Sequence, residues 1–356
     1  MVPLRIAVVD DSALFRTLLR NVLTEIPDCQ VVASLSNGQS AVEQIATLRP
    51  DVVTLDVEMP GMSGIDVLKE LKRRQISTNV IMVSRLTAAG TQVTTDALLE
   101  GAFDFILKPS GKSPAENKAT LKASLEDKLA MLRLPEELHE TAADNRSAPF
   151  EQTSRSTPVH PVRAVVIGCS TGGPDSLAKV IPDLPGDLPV PIFIVQHMPE
   201  GFTSSLAARL NEASELEVIE AADGQRARPG QVVLARGGSH LQLERTFGGQ
   251  ITIRLTNDPR EHSCRPAVDY TLRSAIEAYH GELLGVILTG MGRDGTAGCR
   301  QLREQGGQVI AQHPRGCTVY GMPKAVIEAG LADEVVKLSE IASAIRRRTQ
   351  LQRGPS

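Results

Sequence analysis

The chain has 356 residues, which at roughly 100–200 residues per domain points to two domains and excludes a single small module. Lys plus Arg total 38 against 42 Asp plus Glu, a formal charge of −4, too near neutral for a general binder of nucleic acid or membrane surfaces. Hydrophobic residues make up 41% but aromatics only 3%, with no Trp, so the cores are built from Val, Leu, Ile and Ala, which favours helices on parallel strands.

No apolar run approaches the ~20 residues of a membrane span, and Met1-Val2-Pro3-Leu4-Arg5 leads straight into a strand-like segment. A cytoplasmic protein without membrane insertion is expected. Cys29, Cys169, Cys264, Cys299 and Cys317 are odd in number and form no CxxC pair, which argues against a disulfide framework and a zinc site.

In chain order, apolar runs at 5–9, 31–35, 52–55, 80–83 and 103–107 alternate with segments of helical period such as Leu14-Leu18-Leu19-Val22. Five strands alternating with helices imply a parallel sheet, whose carboxyl ends converge on one edge, where open α/β folds bind ligands. Asp10 and Asp11 follow the first run, Asp56 the third, Ser84 the fourth and Lys108 the fifth. Three carboxylates at one edge call for a cation, and an oxygen-only set suits Mg²⁺, which also accepts phosphate oxygens. Asp56 is then a nucleophile for a phosphoryl group, with Lys108 pairing with the new charge and Ser84 donating a hydrogen bond to it. Taken singly, an Asp at a strand end is an ordinary helix cap and Lys108 before Pro109 an ordinary surface charge. The set as a whole is more specific.

Val8-Val9-Asp10-Asp11-Ser12, Asp56 followed by Met59-Pro60-Gly61-Met62-Ser63-Gly64, and Lys108-Pro109 resemble the receiver domain of two-component response regulators, across residues 4 to about 125. The resemblance implies a flavodoxin-like fold with a five-stranded, doubly wound parallel sheet, phosphorylation of Asp56 by a histidine kinase, and a switch role for Ser84 and Lys108. Phe105 is the one departure noted, and it puts none of this in doubt.

From about residue 135 to 161 the apolar periodicity gives way to Pro, Ser, Thr, Glu and Ala, a composition that cannot bury enough surface to order itself. The expected organisation is a domain at 1–125, a linker at 126–160 and a second domain at 161–350. Residues 161–356 carry 21 basic and 21 acidic side chains, so the second domain is no basic DNA-binding unit. Arg346-Arg347-Arg348 reads as a solvated helix end.

In the second domain a buried strand at 162–167 runs into Gly168-Cys169-Ser170-Thr171-Gly172-Gly173-Pro174 before a helix beginning near Asp175. Such a turn exposes Ser170 and aims backbone N–H groups at whatever binds there, as a nucleophile requires. It matches GxSxG formally, a weak pattern by itself. A dinucleotide turn would need an acidic residue about 20 positions on, but the next strand, 192–195, ends in Gln196-His197. Cys169 is a rival nucleophile, though adjacent residues point apart. Of seven histidines, His139 and His160 fall in the linker and His240, His262, His280 and His313 near loops or helix ends. Only His197 is read as directly following an apolar parallel-type strand, which makes it the candidate base, with a merely structural role as the alternative. Residues 239–243 and 250–255 alternate around Gly248-Gly249 as a β-hairpin. A strand at 283–289 leads into a second glycine-rich turn offering Asp294, as the orienting acid or as an N-cap for a helix near Thr296. The order Ser, His, Asp differs from that of α/β-hydrolases.

The segments 168–174, Gln196-His197-Met198-Pro199, Arg265-Pro266-Ala267-Val268-Asp269, 288–295 and Tyr320-Gly321-Met322-Pro323 resemble the catalytic domain of the chemotaxis protein-glutamate methylesterases/protein-glutamine glutaminases, over about 161–350. The resemblance implies a Ser170, His197 and Asp294 triad on a doubly wound, mainly parallel, Rossmann-like α/β sheet with the hairpin attached. It also implies methylated glutamyl side chains on the cytoplasmic helices of methyl-accepting chemoreceptors as substrate, and deamidation of certain receptor glutamines. Backbone N–H groups at Thr171 and near Met291 are expected to hold the oxyanion. Arg265 and Asp269 are substrate contacts or, more simply, a loop and helix-start charge pair. Phosphorylation is expected to relieve inhibition by the receiver in a monomer that needs Mg²⁺ for the receiver and no cofactor for ester hydrolysis. The competing readings are a response regulator whose second domain only binds a partner, which leaves the three residues unexplained, and a free-standing hydrolase of small esters, which has no use for Asp56.

Overall fold

The computed structural model describes residues 2–111, 113–133 and 160–350. The chain divides into two compact units, Met1–Leu134 and Pro135–Ser356.

The first unit alternates β1 (Leu4–Val9), α1 (Ala13–Thr24), β2 (Cys29–Leu35), α2 (Gly38–Leu48), β3 (Val52–Asp56), α3 (Gly64–Arg73), β4 (Asn79–Ser84), α4 (Ala88–Leu99), β5 (Asp104–Leu107) and α5 (Pro114–Leu132). All strand pairs are parallel, in the order β2-β1-β3-β4-β5. Every residue of β3 is buried, as a parallel strand covered on both faces requires. Each helix is started by a short polar side chain that accepts a backbone N–H three residues on: Ser12, Asn37, Ser63, Thr87 and Ser113. The domain boundary expected at 125 falls inside α5, whose Leu121, Leu125 and Leu129 are buried. Of the linker expected at 126–160, residues 134–159 lie outside the described residues, as does His139.

The second unit contains β6 (Ala164–Cys169), α6 (Gly173–Val180), β7 (Ile192–Gln196), α7 (Phe202–Ala213), β8 (Glu217–Glu220), β9 (Gln231–Leu234), β10 (His240–Arg245), β11 (Ile251–Thr256), α8 (Val268–Tyr279), β12 (Leu283–Ile287), α9 (Thr296–Glu304), β13 (Gln308–Gln312), α10 (Met322–Glu328), β14 (Glu334–Val336) and α11 (Ile341–Gln350). Seven parallel strands run β14-β13-β12-β6-β7-β9-β8, and β10 with β11 forms the expected antiparallel hairpin. The winding reverses beside β6, which lies between β7 on one side and β12 on the other. That crevice is where a doubly wound sheet binds ligands.

Two details differ from expectation. The helix after the Ser170 turn starts at Gly173 rather than near Asp175. β8, β9, β13 and β14 carry no strand expectation at all. β8 has only one buried residue and β14 only one, so neither shows a continuous apolar run. The apolar stretches of β9 and β13 are each three residues long, beside Gln231 in β9 and between Gln308 and Gln312 in β13. Among the described residues no helix is long and apolar enough to cross a membrane.

Candidate active site

In the first unit the strand ends deliver their polar residues to one place. Asp10 and Asp56 are buried, Asp11 is exposed, and ligand oxygens of the three lie within 4.8 Å of one another. Lys108 Nζ stands 2.7 Å from both Asp10 Oδ2 and Asp56 Oδ2 and lies over the Phe15 ring. Asp10 Oδ2 is buried and, although that close to the ammonium, is not aligned for a hydrogen bond with it. A buried, incompletely satisfied carboxylate oxygen among hard donors fits a small oxygen-seeking cation such as Mg²⁺. Burial pushes the Asp56 carboxyl up to about 6, against the opposing Lys108 hydrogen bond and charge, with Asp10 adding to the rise. A pocket of about 490 Å³ opens beside it, lined among others by Asp11, Glu58, Arg85 and Lys108. α3 must start directly under Asp56: a Cβ on Gly64 would stand 2.1 Å from the Asp56 carbonyl oxygen. Ser84 is buried at the end of β4, with its hydroxyl donating to the Arg85 and Gly90 carbonyls instead of facing Asp56.

In the second unit Ser170 follows β6 and is pinned by its backbone. Its N–H donates to Thr289 O at 3.0 Å, and its carbonyl accepts the Gln196 amide at 3.0 Å. Across the crevice Gly290 packs against it so closely that a Cβ there would meet Ser170 Cβ at 2.8 Å and Met322 Sδ at 2.4 Å. His197 leaves β7 with its N–H on Cys169 O and its Nε2 2.8 Å from Asp294 Oδ2. Asp294, buried after β12, also accepts the N–H groups of Val268, Asp269 and Gly295. The structure thus joins His197 to Asp294 and brings Ser170 to the same sheet edge. Among the described residues no hydrogen bond links Ser170 Oγ to the imidazole. With Nε2 on the acid, the ring's other nitrogen is Nδ1, and Cys264 is a second hydrogen-bond partner of the imidazole.

Burial works against charge on His197, but the hydrogen bonds and charges of Asp294 and Cys264 outweigh it and hold the imidazole up at about 9. Burial likewise opposes the Asp294 carboxylate, yet His197 and the helix N–H groups keep it below the usual range. Asp294 is therefore an anion matched to an imidazolium.

The rival readings separate here. Cys169 is fully buried, its thiol is pushed far up by that burial, and it points at Gln196 Oε1 at 3.1 Å, which removes it as a nucleophile. Arg265 and Asp269 do not pair, contrary to the simpler expectation. The guanidinium of Arg265 donates to the Asn257 and Asp258 carbonyls, and Asp269 meets His262 Nε2 at 2.9 Å and Gly298 N–H at 2.7 Å. Asp294 does not simply start its own helix, because two of its N–H partners belong to the start of α8.

His197 is not alone in following a parallel strand. His313 directly follows β13, a parallel strand, but its Nδ1 accepts the Arg315 N–H instead. His240 lies buried at the start of β10, with its Nε2 on Pro259 O. Cys264 beside His197, and His262 with Asp269, carry no signal of chemistry in the sequence. His262, Ser263 and Cys264 sit in a loop whose first two residues are left-handed, which no periodicity signals. Thr171 is buried next to Ser170 and Met291 is 42% exposed on the facing turn. His262, Asp269 and Asp294 are close enough to hold a cation, but their oxygens are already met by N–H donors.

Residues 165–345 match the family described as CheB methylesterase, and residues 6–119 match the response regulator receiver domain. A protein of Desulfotalea psychrophila named protein-glutamate methylesterase/protein-glutamine glutaminase is 43% identical over 354 residues, covering 96% of this chain and 97% of the relative. One of the same name from Thermotoga maritima is 44% identical over 343 residues, covering 95% and 96%. The crystal structure of the Thermotoga maritima CheB methylesterase catalytic domain covers 52% of this chain and 98% of that chain, at 48% identity and a TM-score of 0.51.

Proposed function

Because the chain belongs to the CheB methylesterase family, we propose that it hydrolyses methyl esters of glutamyl side chains on chemoreceptors, and deamidates receptor glutamines, under control of phosphorylation at Asp56. The observation that carries this reading is the buried His197–Asp294 pair at 2.8 Å beside a serine held in a tight turn between two strand ends.

Ser170 Oγ attacks the side-chain ester carbonyl while His197 takes the hydroxyl proton. The contact between hydroxyl and imidazole is one that catalytic sites without substrate often hold loosely. Asp294 stabilises the imidazolium and fixes the ring. The oxyanion sits against the backbone N–H groups of Thr171 and Met291, each worth about 10²- to 10³-fold in rate. The proton returns from His197 to the leaving oxygen, methanol departs, and the acyl–Ser170 bond remains. Water, deprotonated by His197, then breaks that bond and releases glutamate. With a glutamine substrate the leaving group is ammonia.

In the receiver, Asp56 accepts the phosphoryl group from a histidine kinase, Lys108 pairs with it, and Ser84 turns its hydroxyl toward it. Asp10, Asp11 and Asp56 would hold Mg²⁺, which when bound offsets phosphoryl charge. The unphosphorylated receiver restrains the esterase, and the protein acts in the cytoplasm. A serine-reactive phosphonate tests the nucleophile: the expected product is a single adduct mapped to Ser170 and absent from Ser170→Ala. Equal labelling of that variant would reject the assignment and favour a second domain that only binds a partner.

A further inference from the structure

Asp269 and Asp294 hold each other's helices. Asp294 stands just before α9, yet gives its carboxylate to the first N–H groups of α8, those of Val268 and Asp269. Asp269 stands in the first turn of α8, yet accepts the N–H of Gly298 in the first turn of α9 at 2.7 Å. Ala267 and Gly295 stand at the N-caps of α8 and α9, and neither caps its helix with a side chain, so each helix start depends on the other's carboxylate. This arrangement buries two carboxylates side by side, 2% and 1% exposed. Asp294 faces His197. Asp269 faces His262, whose Nε2 is 2.9 Å from Asp269 Oδ2 and 3.8 Å from Asp294 Oδ1.

We propose that Asp269 and His262 form a second carboxylate–imidazole pair behind the first, in which Asp269 positions Asp294 through the two helix starts and His262 balances the charge this adds. The inference rests on the reading of Ser170, His197 and Asp294 given above. A buried carboxylate without a counter-charge would draw a proton or disturb the charge on its neighbour. Glu261 cannot supply a counter-charge and is itself paired with Arg273 of α8. Arg265 is held by two carbonyls and Arg260 by Ser263 O. Arg273, although bound to Glu261, also lies within electrostatic reach of Asp269, and Arg293, Tyr270, Cys264, His197 and, on α9, Arg300 and the buried Cys299 are further titratable groups around this loop and the two helix starts. His262 is the side chain that meets Asp269, and it brings a charge there only when protonated.

The two residues should therefore move the base in opposite directions. Asp269→Asn keeps an acceptor for the Gly298 N–H but deletes a negative charge near His197, so His197 releases its proton more readily. The acid limb of kcat/KM then shifts to lower pH. His262→Gln, at an exposed loop position, leaves Asp269 unbalanced and shifts the limb to higher pH. Shifts on the order of half a unit are expected from charges at this separation. In the double variant the His262→Gln shift disappears. The full chain is assayed by methanol release from methylated receptor membranes with a small acyl phosphate, from pH 6 to 10, with Ser170→Ala alongside. Opposite shifts that collapse in the double variant support the pair. Unshifted profiles, shifts in one direction, or a His262→Gln shift that persists without Asp269 would overturn it, including where Asp269→Asn merely slows turnover. Turnover by Ser170→Ala would instead overturn the underlying reading of the site.

Discussion

In the proposed hydrolysis His197 does two things that pull its proton in different directions. As a base it must be neutral, while its hydrogen bond to Asp294 favours the charged ring. Since its pKa stands at about 9, kcat/KM should climb through the neutral range and level off only beyond that value. The sign for stability is the reverse. A histidine whose folded pKa is raised above its ordinary 6.5 stabilises fully below 6.5 and loses that contribution as pH rises through about 9. The expected outcome is a melting temperature that falls between pH 6.5 and 9.5 while activity rises, with His197→Gln flattening the fall. Parallel rises in both would contradict it. At this scale Ser170 and Asp294 were legible because each follows a strand in a glycine-rich turn. Asp269 was not, because its partners lie on α9 and in an irregular loop, and neither proximity leaves a trace in local spacing.

The helices of the two units begin differently, and the difference follows function. The five of the first unit are started by side-chain caps, as Ser12, Asn37, Ser63, Thr87 and Ser113 announce in the sequence. In the second unit α6, α7, α8, α9 and α10 start on Gly172, Gly201, Ala267, Gly295 and Gly321 with no side-chain cap. Their first N–H groups are thereby available to other partners, as Asp294 shows at α8. Two substitutions separate packing from chemistry. Asn37→Ala should cost about 1 kcal/mol of stability and leave ester hydrolysis unchanged, because it removes only a cap. Gly290→Ala should cut hydrolysis by at least ~10-fold, because its methyl collides with Ser170 Cβ and Met322 Sδ. Thermal melts and methanol release measure both, and a fully active Gly290→Ala would contradict the packing argument. The strands that are legible are apolar runs bounded by polar or turn residues, together with the alternating hairpin around Gly248-Gly249. β8, β9, β13 and β14 are not, being shorter in apolar run or half-exposed.

At the scale of the whole molecule, two α/β units each place their chemistry at the point where the winding of a parallel sheet reverses. The receiver's site carries buried anionic charge: burial, opposed by Lys108, holds Asp56 at about 6. Attack on phosphorus needs the carboxylate, so phosphorylation by a small acyl phosphate should fall as pH drops through about 6. A carboxyl raised in the fold favours the folded state when protonated, so the cost of burying its charge is present above about 6. At pH 7.5 millimolar Mg²⁺ should accordingly raise the melting temperature of the full chain, and Asp11→Asn should reduce the gain. No effect of Mg²⁺ on the wild type would contradict the assignment of the three carboxylates.

Removing residues 1–134 should raise basal hydrolysis in the absence of phosphodonor, and equal activity of the two forms would remove the idea of restraint. The proposed hydrolysis turns on one hydroxyl. Release of radiolabelled methanol from methylated receptor membranes, with phosphodonor present, is expected from the wild-type chain and to fall on the order of 10⁴- to 10⁶-fold in Ser170→Ala. Undiminished release by that variant would contradict it.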